Sequence, residues 1–198
     1  MNAATLRETL RFVEPHLAGA RRVLDVGAGG GELVRALRGR GYDAAGVDKE
    51  EGTDFLDFAG GPFDALLFVS SLHHMPLLQT MEHAHRLLAP SGVLIADEFD
   101  VEAPDEATAR FWLQLKDREG DALREWRHHH AHHGVLAAGR EMRAAIASRF
   151  TLREERVGPY LYRYLPDDAE AGSILAEEER LIAAGALRPV GLRFLARR

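Results

Sequence analysis

The chain of 198 residues has no cysteine. Disulfides and thiolate metal sites are thereby excluded, and a reducing compartment is the simplest setting. No apolar run approaches the roughly 20 residues that cross a bilayer. A secretory leader is not expected either. Leu6, Leu10, Val13 and Leu17 recur at helical spacing among Arg7, Glu8, Arg11 and Glu14, which describes an amphipathic helix packed on a core. A surplus of positive charge is also missing. The net charge is −6; the first hundred residues carry nine Lys/Arg against fifteen Asp/Glu, and the remainder sixteen of each. Neither half is a basic field, so nucleic acid is disfavoured as a partner. The expectation is a cytoplasmic protein that engages neither membrane nor nucleic acid.

What is present is ordinary for a globular chain: 46 % hydrophobic and 28 % charged residues, enough length to bury a full core. Arg22–Val26 reads as a short strand and Glu32–Arg40 as a helix ended by Gly39 and Gly41. Ala44–Asp48 is a second strand, and Phe55–Phe58 a weak third. Phe63–Ser70 is apolar without alternation, as in a strand buried on both faces. Pro76–Leu88 is a helix and Val93–Asp97 a fifth strand. This alternation predicts an open parallel sheet covered by helices. Beyond it, residues 104–138 read as one long charged helical insertion, a lid, with Phe111, Trp112, Leu115, Leu123 and Trp126 facing inward. A helix over Gly139–Ser148, a strand over Thr151–Val157, a helix over Ala169–Ala184 and a strand over Val190–Leu195 follow.

The first strand runs into Gly27-Ala28-Gly29-Gly30-Gly31-Glu32. A dinucleotide fingerprint needs a small residue at the sixth position, so that helix and strand pack closely, and Glu32 stands there. Asp25 lies two residues before the loop. It would repel a pyrophosphate and attract a cation. Asp48 ends the second strand, where a carboxylate accepts two ribose hydroxyls, or else caps the next turn. Glu32 competes with a phosphate for the helix N-terminus. Asp48 would serve the ribose of NAD or of any other adenosine equally; Asp25 and Glu32, beside the loop, argue against a phosphate and for a cation-bearing nucleoside.

At this point the sequence resembles a known family. "VLDVGAGGGEL" is similar to motif I of the class I S-adenosylmethionine-dependent methyltransferases, hydrophobic–hydrophobic–Asp/Glu–hydrophobic–Gly–x–Gly–x–Gly, and Val23 to Gly31 fit every position. "GVDKE" resembles the ribose segment with Asp48 followed by Lys49. "TDFLDF" resembles the adenine segment, with Asp54 accepting from the exocyclic amine beside the Phe55 backbone N–H; Asp57 lies one strand repeat away and is the second choice. "FDALLFVSSLHHM" resembles motif IV, and "LLAPSGVLIADEF" the following helix–strand unit. The resemblance runs over residues 20–100, and "EEERLIAAGALRPVGLRFLARR" resembles the closing helix and antiparallel last strand. It implies an α/β, Rossmann-like, seven-stranded mixed sheet in a single domain over 1–198. Within it, 1–100 is the cofactor-binding core, about 101–150 a helical insertion after strand five, and 151–198 the C-terminal strands and helix. The implied cofactor is S-adenosylmethionine, with S-adenosylhomocysteine as product. The implied cofactor residues are Asp25, Gly27, Ala28, Gly29, Gly31, Asp48, Lys49, Asp54, Phe55 and Ser70.

Methyl transfer asks the protein for placement and, for a weakly acidic nucleophile, a proton acceptor. His73 and His74 follow the fourth strand and are the candidates, against a structural role in which an imidazole bonds backbone. Ser70 and Ser71 line the cofactor tail or close the strand. Asp97 and Glu98 face the ligand edge of the sheet or form a solvated strand end. In "RHHHAHHG", His128/His132 and His129/His133 are spaced for a metal, but no acidic ligand accompanies them, and a solvated helix face is preferred; no metal is expected. Tyr160, Tyr162 and Tyr164 share one face if they lie on a strand, either orienting a substrate or packing. Trp112 and Trp126 read as separate anchors of the lid. The expected activity is methylation of a small-molecule acceptor, and a homodimer is compatible with it. A silent cofactor-binding regulator and a nicotinamide-dependent reductase are the rivals.

Overall fold

The computed structural model describes residues 1–132, 134–166 and 168–198. Among these, six strands form one sheet: β1 (Arg22–Val26), β2 (Asp43–Val47), β3 (Phe63–Val69), β4 (Leu88–Phe99), β5 (Thr151–Gly158) and β6 (Gly191–Arg197), in the order β2-β1-β3-β4-β6-β5. The pairs β1–β2, β1–β3 and β3–β4 are parallel, with Val26 opposite Phe68 and Val69 opposite Asp97. Strand β6 is antiparallel to both of its neighbours. The mixed α/β sheet with an antiparallel final strand is as expected, but that strand lies inside the sheet and β5 holds the edge.

The expected seventh strand is absent among the described residues. Phe55–Asp57 is a turn of 3-10 helix. The reason is local: the Asp54 carboxylate accepts the Leu56 N–H at 3.0 Å, and such a side-chain bond competes with a sheet ladder. The helical insertion therefore follows the fourth strand, not the fifth.

Helices cover both faces. On one, α1 (Ala3–Val13) and α2 (Glu32–Arg38) pack Leu10, Val13, Leu33 and Leu37 on Val23, Leu67 and Ile95. On the other, α3 (Leu77–Leu87) and α6 (Gly139–Ala147) pack Met81, Ala84, Met142 and Ile146 on Leu24, Leu66, Phe68 and Phe194. Adjacent residues of a strand thus enter opposite cores, which is why the central strands lack a polar face.

The largely helical insertion expected over 104–138 consists of α4 (Glu106–Gln114) and α5 (Ala122–Ala131). Asp117 and Gly120 adopt positive φ between them. Asp105 and Asp121 begin the two helices by accepting the N–H groups of Thr108 and Arg124, as N-cap carboxylates do. Trp112 and Trp126 meet edge to face with centroids 5.2 Å apart, so the two anchors are one pair. A last helix, α7 (Asp168–Ala183), precedes β6. No helix among the described residues is long and apolar enough to cross a membrane.

Candidate functional site

In an open α/β sheet, ligands sit beyond the carboxyl ends of the strands where the strand order reverses. Here that point lies between β1 and β3. The loop after β1 and the loop after β3 touch there: Ser71 Oγ donates to the Val26 carbonyl at 2.6 Å. Gly27 has φ +77°, and a Cβ on it would lie 2.4 Å from Ser71 Cβ, so only glycine fits.

Two cavities open from this junction. The larger, about 490 Å³, is lined by Gly27, Asp48, Lys49, Asp54, Phe55 and Ser70 among the expected cofactor residues, and by Ser71, His74 and Thr80. Ala28, Gly29 and Gly31 do not line it. They border a neighbouring hollow of about 290 Å³ that shares Asp48. Asp48 holds the loop itself, accepting Gly29 N–H and Glu50 N–H, each at 2.8 Å. Lys49 Nζ lies 3.5 Å from the Asp54 carboxylate. Phe55 is buried edge-on against Phe68 at 5.8 Å.

Asp25 is 3 % exposed beneath the loop, and its Oδ1 has no hydrogen-bond partner. Burial, then the charges of Asp48 and Glu32, push it up to about 7. A buried carboxylate with an orphaned oxygen, repelled by two further carboxylates, makes a poor seat for a phosphate. Together the three suit a ligand with positive charge and hydroxyl donors, so the residues present fit S-adenosylmethionine.

The second cavity, about 220 Å³, is lined by His73, Phe99, His130, Tyr160, Arg163 and Tyr164, and shares Ser70 and His74 with the first. Tyr160, Tyr162 and Tyr164 do not share a strand face. They lie at a 3-10 turn over Leu161–Tyr164, held by the buried Glu178 carboxylate, which accepts the N–H groups of Tyr160, Leu161 and Tyr162. Tyr160 and Tyr164 border the cavity. Tyr162 turns away against Leu165 and Leu175.

Sequence reading missed the charged floor. Asp97 and Glu98 are not a solvated strand end; they are 2 % and 0 % exposed. Asp97 pairs with Arg163 Nη2 at 2.6 Å and Arg193 Nε at 3.1 Å. Burial pushes the Asp97 carboxyl up, but the two guanidinium groups outweigh it and hold it below its ordinary value. Glu98 takes the Ser71 and Leu72 N–H groups on Oε1 and faces His73 Nδ1 with Oε2 at 2.6 Å. Acidic residues at the carboxyl end of a buried strand were the only local signal; their partners lie far along the chain. Of the histidine run, His128 and His132 meet on an exposed face at 3.0 Å. His133, and with it the His129/His133 pairing, lies outside the described residues. His130 is instead buried between the Trp126 carbonyl and the Tyr164 hydroxyl, each at 2.8 Å. Among the described residues no three His or acidic side chains are grouped to hold a metal.

Comparison with known proteins bears on the family and the fold. A family model described as "Methyltransferase domain" matches residues 1–144. No curated protein sequence matches the chain. Among solved structures, an S-adenosylmethionine-dependent methyltransferase from Mesorhizobium loti is 19 % identical, with 99 % of each chain covered and a TM-score of 0.62. One from Archaeoglobus fulgidus is 14 % identical, with 98 % and 93 % covered and a TM-score of 0.59. The 1,6-didemethyltoxoflavin-N1-methyltransferase of Burkholderia thailandensis is 18 % identical, with 98 % and 78 % covered and a TM-score of 0.60. At these identities the likeness is one of fold, and the family match carries the assignment: the chain belongs to the methyltransferase-domain family, as a class I S-adenosylmethionine-dependent methyltransferase.

Proposed function

We propose that the chain methylates a small molecule held in the 220 Å³ cavity, with the cofactor in the 490 Å³ cavity beside it. The observation that carries this is the shared wall: Ser70 and His74 line both spaces, so a donor in one and an acceptor in the other meet there. The cofactor, when bound, supplies an activated methyl group. Asp48 receives the ribose hydroxyls, Asp54 and the Phe55 backbone receive the adenine, and Lys49 holds Asp54 in place. Gly27 permits the close approach, and Asp25 with Asp48 attracts positive charge. Ala28, Gly29 and Gly31 shape the loop from its outer side.

Ser70 orients what lies at the junction. It adopts φ +52°, a strained conformation for a side-chain-bearing residue that costs of order 1 kcal/mol. The Ser70 N–H bond to the Asp97 carbonyl at 3.0 Å and the 2.8 Å contact of its Oγ with the Tyr160 hydroxyl maintain it. His73 and His74 stand where a proton acceptor is needed. The insertion contributes His129, His130 and Leu136 to the acceptor cavity and so acts as its lid. The net charge of −6 favours a small acceptor over nucleic acid. The Burkholderia relative carries such an acceptor, 1,6-didemethyltoxoflavin, together with S-adenosylhomocysteine.

Calorimetry with S-adenosylhomocysteine and with NAD, followed by methyl-donor turnover across phenols, amines and carboxylates, tests the proposal. The expected result is S-adenosylhomocysteine binding and turnover of at least one class. Binding without any turnover supports a regulator instead, and NAD binding alone overturns the reading.

A further inference from the structure

We infer that Glu98 is a positioning residue that makes His73, rather than His74, the proton acceptor, and that the methyl acceptor is a small planar ring bearing an O–H or N–H. This rests on the methyltransferase reading proposed above.

Glu98 is fully buried, and its two oxygens have different work. Oε1 is saturated by two backbone donors, Ser71 and Leu72, both at 2.8 Å. Oε2 lies 2.6 Å from His73 Nδ1. A carboxylate in that place accepts from Nδ1–H, and the neutral ring in that tautomer keeps its lone pair on Nε2. The imidazole cannot swing away. It is 5 % exposed, lies 4.2 Å from the His74 ring and stands edge-on to Phe99 at 4.7 Å. His73 Nε2 makes no hydrogen bond to a described residue, and the ring borders the acceptor cavity. His74 is exposed at the junction, and the Glu98 Oε2 contact goes to His73. A base with its tautomer and rotamer set by a buried third group is the arrangement that activates weak nucleophiles.

The cavity sets the acceptor class. Phe99 and Tyr160 stack at 4.9 Å and 26°, and Tyr164 and His130 add further ring surface. A void of about 150 Å³ admits benzene, so 220 Å³ suits one substituted ring or two small fused ones. In the step, the acceptor O–H or N–H bond breaks and its proton passes to Nε2. The freed electron pair forms the new bond to the methyl carbon as the carbon–sulfur bond breaks and leaves its pair on sulfur. The Nδ1 proton stays on His73, donated to Glu98 Oε2, and the imidazolium returns its extra proton to solvent once product has left.

Glu98→Gln separates this from a packing role. The two backbone donors keep the amide oxygen at the Oε1 position, so the amide N–H group faces His73 Nδ1 and donates to it. The ring is then forced into the Nε2–H tautomer, which cannot accept a proton. Histidine ¹⁵N NMR on the S-adenosylhomocysteine-loaded protein should show Nδ1–H at His73 in the wild type and Nε2–H in Glu98→Gln. Turnover of a phenol or ring N–H probe should fall about 10²- to 10⁴-fold, with the probe's KM and S-adenosylhomocysteine affinity within threefold. His73→Gln should lose as much, and the double variant no more. An unchanged tautomer, or turnover of Glu98→Gln within threefold of wild type, overturns the role of Glu98. A wild type that binds S-adenosylhomocysteine but gives neither turnover nor a His73 ¹⁵N shift with the ring probes overturns the acceptor class. Failure to bind S-adenosylhomocysteine at all overturns the methyltransferase reading beneath it.

Discussion

The hydroxyl of Tyr160 lies 2.8 Å from Ser70 Oγ, although 90 residues separate the two. The contact ties the strained end of β3 to the turn that walls the acceptor cavity. Burial pushes the Tyr160 phenol up, so it remains a neutral hydrogen-bonding group throughout the physiological range. Tyr160→Phe keeps the ring stack on Phe99 and removes only this bond. The expected cost is about 1 kcal/mol in stability. Turnover should fall more than S-adenosylhomocysteine affinity, because the Ser70 hydroxyl then keeps only its 3.5 Å contact with Arg163 Nη1 at the junction. Thermal melts, calorimetry and steady-state kinetics check the three parts.

Asp25 makes the ligand-free protein pH-sensitive. Its folded value of about 7 lies above its ordinary 3.8. A raised folded value contributes stability below the lower figure that is lost as pH rises through the higher. The ligand-free chain should therefore lose up to ~4 kcal/mol between pH 4 and pH 8 from this group. Asp25→Asn should melt several degrees above wild type at pH 8 and level with it at pH 4. Cofactor affinity should move the other way: in the wild type it rises with pH through 7 as Asp25 ionises toward a cationic ligand, and in the variant that rise disappears.

Asp48 supports the loop as well as lining the cavity. Asp48→Ala strips acceptors from the Gly29 and Glu50 N–H groups. S-adenosylhomocysteine affinity should drop at least tenfold, since two ribose contacts and the loop's shape go together. Asp48→Asn, which retains one acceptor oxygen, should lie between. Calorimetry on both variants at one pH decides this; equal affinity in wild type and Asp48→Ala would remove Asp48 from the site.

The Asp97–Arg163 pair is 2 % and 6 % exposed. Removing one partner of a buried pair costs about 3–5 kcal/mol, because the other charge stays behind. Arg193 softens this at Asp97, so Arg163→Met should cost about 3 kcal/mol and lower the melting temperature by roughly 6–12 °C for a chain of this size. Adding Asp97→Asn to Arg163→Met should recover part of the loss. A double-mutant cycle with no coupling would show that the two charges act independently.

Much of this molecule was legible in its sequence. Apolar runs without alternation marked β1, β3 and β4, because a strand buried on both faces has no polar side to show. The loop glycines marked a close backbone approach, Asp48 a ribose, and Asp25 with Glu32 a cationic nucleoside, because charge and backbone permissiveness are local properties. The errors arose where one local signal had two outcomes. Phe55–Phe58 carried strand-like residues, but the Asp54 cap made a turn of them. Tyr160–Tyr164 alternated like a strand, but Glu178, on another helix, gathered their N–H groups into a 3-10 turn.

Only the tertiary structure decided which residues share the site. Glu98 and His73 sit 25 positions apart, Asp97 and Arg163 sit 66, and Ser70 and Tyr160 sit 90. Each pairing follows from the order in which strands lie in the sheet and from helices filling the space beyond their carboxyl ends. Sequence specified the donor and acceptor types and the residues that bring a backbone close. Packing specified which carboxylate was left orphaned, which was paired, and which was set to hold a histidine.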